Sequence, residues 1–149
     1  MAEVLFYHLT ESRLDEVLPG LLEKTLERGW KAVVQCGTEG FRDALDEKLW
    51  TFSEASFIAH ATDEHENPAG QPVILTTLST NANSADVRFI VDGAVPPDLS
   101  SYRRAVLMFD GHDEGQKADA RESWKKFKAD GHDVTYWQQN TERRWEKKG

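Results

Sequence analysis

Apolar runs bounded by turn residues alternate with helical patterns along the whole chain. Val4-Leu5-Phe6-Tyr7-His8-Leu9 is strand-like, and the polar Thr10-Glu11-Ser12 follows it. Leu14, Val17, Leu18, Leu21, Leu22 and Thr25 then recur at three- and four-residue steps, which is one face of an amphipathic helix. Pro19 sits inside that pattern and predicts a kink or a late helix start. Gly29 closes the helix, and Trp30-Lys31-Ala32-Val33-Val34-Gln35-Cys36 reads as a second strand. Gly37-Thr38-Glu39-Gly40 turns into a second helix, with Phe41, Ala44, Leu45, Leu49 and Trp50 inward or at its margin. Three further short strands are expected at Val73–Thr77, Val87–Asp92 and Ala105–Asp110. A long helix from about Asp113 to Asp130 stops at Gly131, and Val134-Thr135-Tyr136-Trp137-Gln138 is the last strand.

Strands separated by helices, with near-continuous apolar runs such as Ala105-Val106-Leu107-Met108-Phe109, predict a mostly parallel sheet covered on both faces. The expected fold class is therefore a three-layer α/β domain over residues 1–139. The polar stretch from His60 to Gln71 reads as a surface loop, and the charged residues 140–149 as a frayed tail.

Charge adds an asymmetry to this outline. The 149 residues carry 18 Lys+Arg against 26 Asp+Glu, a net charge of −8. From Lys117 onward the balance reverses, with nine basic and six acidic residues, whereas residues 1–116 hold the other nine basic and twenty acidic ones. The overall sign argues against wrapping duplex DNA. A moderately basic end on an acidic body fits either an acidic partner meeting that end or a solvated basic helix and tail. No run of about 20 apolar residues predicts a membrane span, and the N-terminus lacks the basic start of a signal peptide. One cysteine, Cys36, excludes an internal disulfide framework and fits a reducing cytoplasm.

Most of the candidate chemistry is weak. Gln35-Cys36-Gly37-Thr38-Glu39-Gly40 runs from a strand into a helix, where an α/β fold binds nucleotides. It has neither GxGxxG nor a GK[ST] ending, and Glu39 would repel phosphate, so no nucleotide site is expected. His60, Asp63, Glu64 and His65, and the run Asp110-Gly111-His112-Asp113-Glu114, hold metal-capable groups without a metal-binding motif, so neither is assigned a metal. Cys36 reads as a packed thiol, and Ser53, Ser79 and Ser84 lack a nucleophile-elbow context.

The long C-terminal helix is more informative. At about 100° per residue, Lys117, Arg121, Trp124 and Lys128 fall within an arc of roughly 60°, with Ala120 and Phe127 beside it facing the sheet. Such a stripe can receive an aromatic side chain while the cations bind carboxylates. Spacing alone favours a simpler reading, a Trp124 packed on the core edge under a solvated basic face. Trp50 and Phe57 mark a second feature, an aromatic-rich connection that either seals the core or forms a patch for a partner.

Ala120-Arg121-Glu122-Ser123-Trp124-Lys125-Lys126-Phe127-Lys128, then Gly131-His132 and Thr135-Tyr136-Trp137-Gln138, resembles the end of the chi subunit of bacterial DNA polymerase III holoenzyme. Phe6-Tyr7, Leu45-Asp46-Glu47-Lys48-Leu49-Trp50 and Ser56-Phe57-Ile58-Ala59-His60 match the same family in order. The resemblance implies a Rossmann-like domain without a nucleotide and a non-catalytic subunit of the clamp-loader assembly. It implies that Lys117, Arg121, Trp124 and Lys125 grip the acidic C-terminal tail of single-stranded DNA-binding protein, which ends in Pro-Phe. Contact with DNA would then be mainly indirect. Trp50 and Phe57 match the family's surface for the psi subunit, where psi or another clamp-loader protein would dock. Two readings from other classes remain beside it. One is a metal- or nucleotide-dependent enzyme on the same frame. The other is direct single-stranded DNA binding through the basic helix with Trp137 or Trp145.

Overall fold

The computed structural model describes residues 2–50, 60–64 and 67–148. Among the described residues, eight strands and three helices follow one another as β1 (Glu3–Leu9), α1 (Leu14–Glu27), β2 (Ala32–Gln35), α2 (Glu39–Trp50), β3 (Ala61–Thr62), β4 (Val73–Thr76), β5 (Val87–Ile90), β6 (Arg104–Asp110), α3 (Glu114–Ala129), β7 (Asp133–Gln139) and β8 (Trp145–Lys147). The strands form one sheet in the order β3-β4-β2-β5-β6-β1-β7-β8. Every pairing is parallel except β7 with β8. This is the expected three-layer α/β fold with a mostly parallel sheet.

The unbroken apolar run of β6 follows from burial on both faces. Ala105, Leu107 and Phe109 join Phe6, Ala120 and Phe127 in the core under α3. Val106 and Met108 point the other way, into a second core with Leu18, Leu22, Leu45 and Leu49 of α1 and α2. Alternation therefore survives in the direction of each side chain, although it is invisible as polarity.

Two helices end alike, one ahead of Trp30 and the other ahead of β7. Gly29 (φ 78°) follows α1; its N–H donates to the Leu26 carbonyl, and that of Trp30 to the Thr25 carbonyl. Gly131 (φ 87°) follows α3, with matching bonds from Gly131 to Lys128 and from His132 to Phe127. These paired bonds satisfy the last carbonyls, and the left-handed turn they need suits glycine.

The structure departs from the sequence reading in three places. α1 begins at Leu14 and runs through Pro19, so the proline does not mark a late start. Inside the expected loop from His60 to Gln71, Ala61 and Thr62 pair with Ile74 and Leu75, and a 3-10 turn spans Pro68–Gly70. A two-residue strand is too short to show a period. The third is the tail: residues 145–147 are not frayed but pair antiparallel with 137–139. Asn140 makes the turn, its side-chain oxygen accepting from the backbone N–H groups of Glu142 and Arg144. The Trp145 ring stacks on Tyr7 at 4.8 Å. One buried aromatic face holds a segment whose charges alone predict solvation.

Candidate functional site

α3 is phased at its first turn. The Asp113 carboxylate accepts from the Gln116 backbone N–H at 3.1 Å, and Gln116 Oε1 accepts from the Asp110 N–H at 2.9 Å. This N-cap fixes where the helix begins relative to β6. Ala120 and Phe127 are consequently buried against the sheet, and Lys117, Arg121, Trp124 and Lys125 line one margin.

These four residues come together around a single cleft of about 300 Å³, whose remaining lining is His8, Phe109, Ala120 and Tyr136. Trp124 forms one wall, edge-on to Phe6 at 5.5 Å and to Tyr136 at 5.8 Å. Lys128 Nζ lies 4.8 Å from the centre of the Trp124 ring. His8 stacks on Phe109 at 4.7 Å, and its Nδ1 shares a 2.7 Å hydrogen bond with the Tyr136 hydroxyl. The cleft is therefore an aromatic hollow with a cationic rim.

The cations differ in what already holds them. Lys117 stands 3.6 Å from Glu114, and Lys125 stands 3.8 Å from Glu122, both as i,i+3 pairs on the helix surface. Among the described residues Arg121 has no carboxylate within 4 Å and no side-chain hydrogen bond. Burial pushes the His8 pKa below 6.5, and the nearby Lys117 and His112 push the same way against Asp110. Burial raises the Tyr136 pKa, with Arg121 acting against it. At neutral pH both groups are uncharged, so the positive potential comes from the rim.

Sequence reasoning missed His8, Phe109 and Tyr136, which make the floor. Each lies in an apolar strand run, where nothing local marks a binding residue. Only the register of β1, with Phe6 beside Tyr136 and His8 beside Phe109, sets them under α3.

The second candidate surface, expected around Trp50, lies elsewhere. Trp50 ends α2 and is 51% exposed, with its ring 4.3 Å from that of the buried His60. α2 packs beside β3 and β4, and α3 over β6 and β7, so the two surfaces belong to opposite halves of the sheet. Phe57, its expected partner in that surface, lies outside the described residues.

The remaining candidates have local explanations. A side chain at Gly37 would collide with the Asp92 carbonyl, so close packing accounts for that glycine. The Cys36 thiol is buried and pushed up to about 12, mainly by desolvation and then by Asp92. Asp63 and Glu64 are held by Arg42 at 3.0 and 3.1 Å. Among the described residues no group of three or more His, Cys, Asp or Glu converges, and no helix is long and apolar enough to cross a membrane.

Comparison with known proteins agrees with the resemblance carried by α3 and β7. The chain is 28% identical over 100 residues to a "Probable DNA polymerase III subunit chi" of Rickettsia prowazekii (strain Madrid E), covering 67% of this chain and 59% of that relative. It is 25% identical over 141 residues to the "DNA polymerase III subunit chi" of Haemophilus influenzae, covering 92% of this chain and 94% of that protein. A family model described as "DNA polymerase III chi subunit, HolC" matches residues 1–135. On this match, which takes in α3 and all of the cleft lining except Tyr136, the chain belongs to the DNA polymerase III chi subunit family.

Proposed function

We propose that this chain is a non-catalytic, cytoplasmic subunit that joins the polymerase III clamp-loader assembly to single-stranded DNA-binding protein, by holding that protein's acidic C-terminal tail in the α3 cleft. The observation that carries the reading is Arg121, a guanidinium without a partner among the described residues, set over an aromatic hollow. A tail ending in Phe presents a ring and a free carboxylate a few ångströms apart. The ring enters between Trp124, Tyr136 and Phe109. Arg121 takes the carboxylate through two parallel hydrogen bonds, a geometry lysine lacks.

Lys117 and Lys125 meet the upstream Asp residues by exchanging their exposed Glu partners. Such exchange adds little net energy but speeds encounter, an effect that salt weakens. Trp50 belongs to a second docking surface, for psi or another clamp-loader protein, with Phe57 as its sequence partner.

The test is a titration with an acidic peptide ending in Asp-Phe-Pro-Phe. Amidating the peptide, or substituting Arg121→Ala, is expected to weaken binding by about 1.5–3 kcal/mol, as for a charge-assisted hydrogen bond. Trp50→Ala leaves the affinity intact. Absence of binding to the free-carboxylate peptide at low salt overturns the reading.

A further inference from the structure

A second cationic cleft, of about 210 Å³, opens on the other face of the sheet between α1 and strands β1, β5 and β6. Lys24 comes from the last turn of α1, Arg28 caps that helix, and Arg104 begins β6. The glycine turn at Gly29 brings the partly exposed Trp30 to the same place, and Tyr7 of β1 lies opposite. Three guanidinium groups surround the Trp30 ring, with carbons 5.2 Å (Arg28), 5.6 Å (Arg104) and 5.9 Å (Arg103) from its centre. So many cations near one ring are out of keeping with an acidic chain.

Local carboxylates cover only part of that charge. Arg103 pairs with Asp86 at 3.3 Å and Arg104 with Glu3 at 3.2 Å. Among the described residues, Lys24 and Arg28 are exposed without an ion pair, and Arg104 Nε is buried with no acceptor.

We propose that this cleft binds the phosphate backbone of single-stranded DNA directly, with the uncovered part of the Trp30 ring meeting a base. Forked guanidinium donors match phosphate oxygens, and a base stacks on an aromatic face whatever its identity. In the α3 cleft one free guanidinium overlooks a hollow, which suits the end of a peptide. Here several cations are spread around a flat ring, which suits a repeating anion carrying flat bases. The two clefts occupy opposite faces, so a strand bound here leaves the other cleft open. The net charge of −8 opposes the strand at long range, so binding is weak and strongly salt-dependent.

The test uses the full chain and a labelled oligothymidylate of about ten nucleotides, within the size range of such sites. The expected result is saturable anisotropy at low salt. The double substitution Lys24→Ala/Arg28→Ala weakens it about tenfold and lowers the salt slope by about 1.4, or ~0.7 for each phosphate no longer neutralised. Both side chains are exposed, so the fold survives, and binding of the tail peptide is unchanged. Trp30→Phe retains a ring and keeps most of the affinity, while Trp30→Ala loses it. Inorganic phosphate competes only at much higher concentration than the oligonucleotide, because it engages one subsite. The proposal is overturned if no oligonucleotide binds at low salt, or if the double variant binds it like the parent. It is also overturned if the acidic tail peptide, rather than DNA, loses affinity in the double variant. Failure of tail binding with DNA binding intact would instead remove the function proposed for the α3 cleft and leave this one standing.

Discussion

Arg88 and Arg121 lie in the same chain and do opposite things. Arg88, on β5, is fully buried at 0% exposure. Its Nε and Nη2 donate to Gln35 Oε1 at 3.1 and 2.9 Å, Nη1 to the Tyr102 hydroxyl and the Thr80 carbonyl, and Nη2 to the Leu78 carbonyl. Its pKa is lowered by burial, with Tyr102 opposing the shift. Its donors tie β2, β5 and the segment after β4 together. Arg121 is exposed on α3 and, among the described residues, bonds to none of them. A saturated arginine is spent on the fold, whereas one left open over an aromatic hollow is available to a ligand.

Effects at four residues sharpen the contrast or break it. The largest is expected for Arg88→Met, which leaves Gln35 Oε1 and two carbonyls without their donor. Stability in urea should fall by roughly 3 kcal/mol or more, while the folded fraction keeps its tail affinity. Arg121→Ala, by contrast, should stay within about 0.5 kcal/mol of the parent in the same unfolding measurement. Equal destabilisation by the two would dissolve the distinction.

A smaller effect is expected for Lys125→Ala. Peptide affinity should drop about threefold at low salt and converge on the parent as salt rises, because its charge is exposed and shared with Glu122. A salt-independent loss would place Lys125 in direct contact with the peptide.

The smallest concerns His8. Its pKa in the folded chain is below 6.5, so the unfolded chain binds the extra proton first as pH falls. Its contribution to stability is thus complete above pH 6.5 and lost progressively below it, down through the folded pKa. His8→Gln should remove part of that acid sensitivity. A bound carboxylate adds an opposite charge to the cleft, so the tail peptide should raise the His8 pKa, as read by NMR titration of the ring. An unmoved His8 signal would put the peptide outside the cleft.

The α3 stripe was legible in the sequence because a helix converts spacing into angle by local rules. Lys117, Arg121 and Trp124 share a side wherever the helix sits, and Gly131 marks its end. The strands were legible as apolar runs, except for Ala61–Thr62, too short to carry a period, and 145–147, whose charges outnumber its one aromatic. Trp145 is held by Tyr7, 138 positions away in the chain, and nothing local announces that contact. The cluster around Trp30 was equally hidden, because its arginines come from two separate segments.

By itself, then, the sequence determined the layers of the fold and the face that α3 turns outward, because both depend on residues close together in the chain. It also set a net charge of −8 and a basic C-terminal region. Tertiary structure decided what that region faces. Strand order and register, set by long-range packing, place His8, Phe109 and Tyr136 beneath Arg121 and make a basic stripe the rim of a cleft.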